Sequence, residues 1–121
     1  MGLDMYAYRT KALLPADVDF EEPDTCERIA YWRKHHDLHA WMRDLYDAKG
    51  GGGYFNCVPV TLDLEDLDQL EALVIADKLP SEPDCLCGDP DPHHKQDTLV
   101  FIDKARASIQ DGYSVYYTSW W

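Results

Sequence analysis

Between Trp32 and Met42 the chain reads WRKHHDLHAWM, three histidines and two tryptophans within eleven residues. His35 and His39 stand four apart, the spacing that puts two imidazoles on one side of a helix, as metal-binding helices use it for zinc. A third ligand is not identifiable, and the glutamate of an H-E-x-x-H motif is missing, so a hydrolase centred on this pair would need Asp37 or a loop carboxylate as its base. The competing reading is structural. His35 would lie in the packing stripe and His39 beside Trp32 at its edge, each satisfied by a hydrogen bond. That reading is preferred, with zinc at His35 and His39 as the alternative. His36 falls on the opposite face with Arg43, facing water.

Cysteine supplies the other candidates. Cys57 would become a nucleophile if His39 approached it, because a neighbouring imidazole lowers a thiol pKa; a buried strand cysteine between Asn56 and Val58 is the simpler expectation. Cys85 and Cys87, with His93 and His94 nearby, have the ligand types for zinc but only one residue between the thiols, where structural sites use two to four. Without a secretion signal, the four cysteines are expected to be reduced. Lys49 ahead of Gly50 to Gly53 has the composition of a phosphate loop without its G-x-x-x-x-G-K-[ST] order, and reads as a connector. No serine sits in a G-x-S-x-G elbow.

Charge is the strongest compositional signal. Eleven basic against 23 acidic residues leave a net charge of −12, and the acids are grouped. Asp17, Asp19, Glu21, Glu22 and Asp24 form one cluster; Asp63, Glu65, Asp66, Asp68 and Glu71 form another, neither containing a base. Such a field repels phosphate backbones, which are bound by Lys and Arg through counterion release, so direct nucleic-acid binding is disfavoured. A protein partner with a basic surface suits it, including a groove that otherwise holds DNA or RNA; the preferred bland alternative is a solvated acidic surface that only aids solubility. At the C-terminus Trp120 and Trp121, with Tyr116 and Tyr117, are candidates for an aromatic contact platform, although strand alternation must turn half of them into the core.

These groups have to be positioned by a small fold. The 121 residues suit one domain spanning 1–121, large enough for a core without disulfides. Leu3, Met5 and Ala7 alternate with Asp4, Tyr6 and Tyr8, predicting a strand. From about Thr25 to Lys49 the spacing of Tyr31, His35, Leu38, Met42 and Leu45 predicts one long helix, stopped by Gly50 to Gly53. A strand over Phe55 to Leu62 follows. Asp63 then caps a helix that buries Leu64, Leu67, Leu70 and Val74. After Pro80 and Pro83 comes a short strand around Cys85 to Cys87. A third helix starts near Thr98 with Asp97 as its cap, buries Leu99, Ile102, Ala105 and Ile109, and stops at Gly112. Tyr113 to Trp121 forms an aromatic strand. The expected fold is α+β, a sandwich of a roughly four-stranded sheet with about three helices. No apolar run reaches membrane-spanning length, Tyr6 occupies the position where a myristoylation signal wants Ser or Thr, and a cytoplasmic location is expected.

Taken together, the opening MGLDMY, the WRKHxxLHxWM segment, FNCVPV followed by EDL, the LP before a segment ending in Gly88, and the closing VYYTSWW resemble a family of small proteins encoded by tailed phages and prophages. The likeness spans nearly the whole chain and departs from the family at Asp84 to Gly88, where relatives often carry Gly followed by a run of Phe. Members are sometimes labelled phosphoglycerate kinase, a label that fails here for want of a Gly-rich phosphate loop and a second lobe. The resemblance implies a phage accessory protein in the host bacterial cell, and no particular reaction. With the charge it leads to an expected function: non-catalytic binding of a host or phage protein through an acidic surface, counter-defence by nucleic-acid mimicry being one form. The alternatives are the His35/His39 hydrolase and a virion or assembly component.

Overall fold

A computed structural model describes residues 3–53, 55, 58–79 and 93–120. Its elements are β1 (Asp4–Thr10), β2 (Cys26–Arg33), α1 (His36–Ala48), β3 (Val60–Leu62), α2 (Leu64–Ile75), α3 (His94–Gln110) and β4 (Ser114–Trp120). The strands make one antiparallel sheet in the order β2-β1-β4-β3. Among the described residues there are four strands and three helices, the α+β class expected.

Alternation along β1 and β4 sorts the sheet into two faces. Met5, Ala7, Val115 and Tyr117 are buried in one core with Leu38 and Met42 of α1, Leu67 and Leu70 of α2, and Phe101, Ile102 and Ala105 of α3. All three helices therefore contribute to the packing of one face. The other face is a row of tyrosines: Tyr6 against Tyr31 at 5.3 Å, Tyr6 against Tyr8 at 6.2 Å, and Tyr8 against Tyr116 at 5.5 Å. Phe20, from the acidic loop, sets its edge on Tyr116, which is fully buried.

The long helix expected from Thr25 to Lys49 is instead a strand, a turn and a shorter helix. Cys26–Arg33 pairs along β1 with a bulge between Ala7 and Tyr8. The stripe that looked continuous joined Tyr31 on a strand to Leu38 and Met42 on a helix; short apolar spacings serve both periods. Lys34 makes the break. Its φ is 57°, a left-handed conformation rare for a residue with a side chain, and its N–H donates to Leu3 O at 2.8 Å. At the other end of α1, Gly50 takes φ 101°, and a Cβ at Gly51 would strike the Tyr46 ring, so the glycine run is a fitted helix stop.

β3 is shorter than the expected Phe55 to Leu62. Pro59 has no N–H for the ladder, and its carbonyl accepts instead from Asp19 N at 3.2 Å. Residues 17–19 cover the outer edge of β3, with Thr61 N donating to Asp17 O at 2.8 Å and a bridge between Val18 and Val60. Asp63 caps α2 as expected: it accepts from Asp66 N at 2.8 Å while Asp66 accepts from Asp63 N at 3.1 Å, a reciprocal box. Leu67, Leu70 and Val74 are buried, but Leu64, in the first turn, is exposed.

α3 begins at His94, with His93 and not Asp97 as its N-cap. Thr98 is therefore inside the helix, buried, and its hydroxyl donates to His94 O at 2.8 Å. Its inward face carries Thr98, Phe101, Ile102, Ala105 and Ser108, leaving Leu99 and Ile109 only half-buried. The expected strand at Cys85 to Cys87 lies outside the described residues. Among those described, no helix is long and apolar enough to cross a membrane.

Candidate functional site

His39 lies in the first turn of α1 and turns towards the middle of β4, where its Nδ1 is 2.8 Å from the Tyr117 hydroxyl. Phe55 stacks on the imidazole at 5.1 Å, and Tyr46 packs on Phe55 at 4.9 Å. Burial, then the charges of Arg43 and His36, pushes the His39 pKa down to about 4. Burial also holds Tyr117 well above the ordinary phenol range. Both groups are therefore neutral, and one hydrogen bond joins them, its direction set by the imidazole tautomer. His39 Nδ1 is engaged by a phenol, and the ring is neutral at physiological pH.

His35 parts company with His39. As the N-cap of α1 it has ψ 74°, outside the helical range, so the same-face rule for residues four apart does not carry to its side chain. Its ring stacks on His94, 59 positions later, with centroids 4.3 Å apart and planes 14° apart. His94 Nε2 donates to Arg33 O at 3.1 Å, and Trp32 Nε1 donates to Thr98 Oγ1 at 3.2 Å. These contacts bind the end of β2 to the start of α3. The sequence placed His35 and His39 in one site; the structure engages them with different elements. The contact between His35 and His94 had no local signal, since nothing in either segment specifies a partner so distant. His36 is half-buried, contrary to the solvated position expected.

Among the described residues no group of three or more His, Cys, Asp or Glu is arranged to hold a metal ion. Cys57, Cys85 and Cys87 lie outside them, and Cys26 is a free thiol in β2. Lys49, noted for its glycine-flanked position, works structurally: its ammonium lies 2.6 Å from Asp66 Oδ2 and 2.6 Å from Thr61 O, joining α1, β3 and α2.

The two acidic clusters meet through Asp17 and Asp63. Asp17 lies across Thr61 of β3, and Asp63 follows β3 directly, so residues far apart in the chain occupy one edge of the sheet. Much of the second cluster has an internal task. Asp63 and Asp66 form the cap, Asp66 also pairs with Lys49, and Arg106 reaches Asp68 at 2.6 Å and Glu71 at 2.7 Å. In the first cluster the Tyr46 hydroxyl is 2.6 and 2.8 Å from the Asp19 oxygens. Glu21, Glu22, Asp24 and Glu65 are exposed.

Beside this edge opens a cleft of about 320 Å³, between the loop carrying Leu14 and Asp17, the ends of β3 and α3, and the start of β4. The aromatic terminus divides as alternation requires only in part: Trp120 is 65% exposed, while Tyr116 and Tyr117 are both buried, one under Phe20 and one under the helices. Trp121 lies outside the described residues. Sequence reasoning found the acidic residues but not the cleft, because its walls come from four separate segments.

Compared with known proteins, the chain matches no family model, no curated protein and no solved structure.

Proposed function

We propose that this protein is a phage or prophage accessory protein that acts in the host cell without catalysis, by binding a host or phage protein through its acidic surface. The observation that carries this reading is that Asp17 and Asp63, one from each acidic cluster, meet at β3 beside an open cleft, while Glu21, Glu22, Asp24 and Glu65 are exposed. Charge of one sign gathered on a surface attracts a basic partner, speeds encounter and rejects acidic competitors. Occupation of a basic nucleic-acid channel in a host nuclease is the counter-defence form of the reading. The treatment of the histidines agrees with it: His39 is neutral, covered by Phe55 and engaged by Tyr117.

The test follows from which carboxylates have internal tasks. Reversing Asp63, Asp66 or Asp68 would disturb the cap or an ion pair, so the informative variant replaces the exposed Glu21, Asp24 and Glu65 with Lys. The expected result is a folded protein that no longer captures its partner from host lysate, with capture by the parent falling as salt rises. Undiminished capture by the folded triple variant would overturn the reading.

A further inference from the structure

We propose that the cleft between Leu14, Asp17, Asp63, Ile109 and Tyr113 is a docking groove for a short basic segment of a partner protein carrying one or two apolar side chains. This rests on the binding function proposed above and names the chemistry of the partner.

Three observations carry it. The cleft's lining joins Leu14, Leu62, Ile109, Tyr113 and Val115 to the polar Thr61 and Ser114, with apolar surface the somewhat larger share. Its volume of about 320 Å³ falls at the small end of the usual range for ligand pockets, roughly 300–1,000 Å³, which suits one or two side chains better than a large cofactor. Next, Leu13 at its rim is 97% exposed. A single exposed leucine is ordinary, but one that extends a concave apolar lining enlarges the surface a partner would cover. Finally, the charged side chains lining the cleft are both carboxylates, Asp17 and Asp63.

Cations stand beside the cleft as well, and most are paired. Arg9, 4.4 Å from the centroid of the lining Tyr113 ring, is paired with Glu27, and Lys49, 2.6 Å from the lining Thr61 O, is paired with Asp66. Lys11 lies 4.8 Å from the Tyr113 centroid and offsets part of the charge of the two carboxylates. Asp63 uses Oδ1 for the cap, and a carboxylate has further acceptor capacity for an incoming Lys or Arg. An apolar anchor flanked by basic residues would thus fill the cleft while its charges meet Asp17 and Asp63.

The probe is the blocked hexapeptide KKLLKK titrated into the full chain and followed by NMR of the leucine and isoleucine methyls. KKGGKK and EELLEE serve as controls. Saturable shifts at Leu13, Leu14 and Ile109 are expected with KKLLKK only. Ala16, exposed on the lining, offers a variant that leaves the core alone: Ala16→Arg should weaken the peptide by at least about tenfold. Equal shifts with KKGGKK, no binding of KKLLKK, or full binding by Ala16→Arg would each overturn the groove. The same variant separates the two proposals. If Ala16→Arg still captures the lysate partner while the Glu21, Asp24 and Glu65 reversal does not, the acidic surface stands and the groove falls.

Discussion

The pocket around His39 and the cleft beside Asp17 are built from opposite kinds of residue. The first collects groups able to do chemistry, an imidazole and two phenols, and surrounds them with rings until the imidazole is neutral and its Nδ1 engaged. The second is lined by aliphatic side chains, Tyr113, two hydroxyl residues and two carboxylates, and stays open. Reactive residue types are thus a poor guide to which surfaces of this molecule stay open. Buried polar groups must find partners within the protein, and that requirement absorbs them into the fold.

The largest effect expected from this contrast is acid sensitivity. The folded His39 pKa is about 4, below the roughly 6.5 of an unfolded chain. Between these values the unfolded state binds a proton that the folded state refuses. The stabilisation is complete above about pH 6.5 and is lost as the pH falls towards 4, to a total of about 3 kcal/mol. Urea unfolding of the parent and of His39→Gln at pH 7 and pH 4 should show the gap between them shifting by that amount; a constant gap would mean the pocket is more open than drawn.

Next comes the pillar between the two regions. Lys49→Met removes the ammonium that Asp66 and Thr61 O share and leaves a carboxylate poorly exposed, at a cost of about 2 kcal/mol in chemical denaturation. Asp63→Ala breaks the capping box and should cost about 1 kcal/mol. Smallest is Asp17→Lys. Its side chain has only a 3.4 Å contact with Thr61, so stability should change by less than about 0.5 kcal/mol while KKLLKK binding falls sharply. A large loss of stability there would erase the contrast by making the cleft's rim as structural as the pocket.

How far the fold could be read in advance follows from the range of the interactions involved. β1, the capped start of α2 and the aromatic β4 were legible because their signals lie within a few residues: alternation in LDMYAY, Asp63 ahead of the apolar stripe of Leu64, Leu67, Leu70 and Val74, a strand after Gly112. The segment Cys26–Arg33 was misread because its apolar spacing fits a helix locally, and only hydrogen bonding to β1 makes it a strand. The start of α3 was missed for a similar reason. Asp97 has a favoured capping side chain, yet His94 joins the helix through its contacts with Arg33 and His35.

For the candidate site the division is sharper. By itself the amino-acid sequence determined the size and class of the domain, its net charge of −12 and the membership of the two acidic clusters, because composition and short-range pattern survive in any conformation. Only the tertiary structure decided that His35 stacks on His94 while His39 bonds Tyr117, that Asp66 is paired with Lys49, and that Asp17 and Asp63 share one cleft. Those outcomes depend on which residues the packed sheet and helices bring within a few ångströms of one another. Hydrogen bonds, ion pairs and apolar contacts act only at that range.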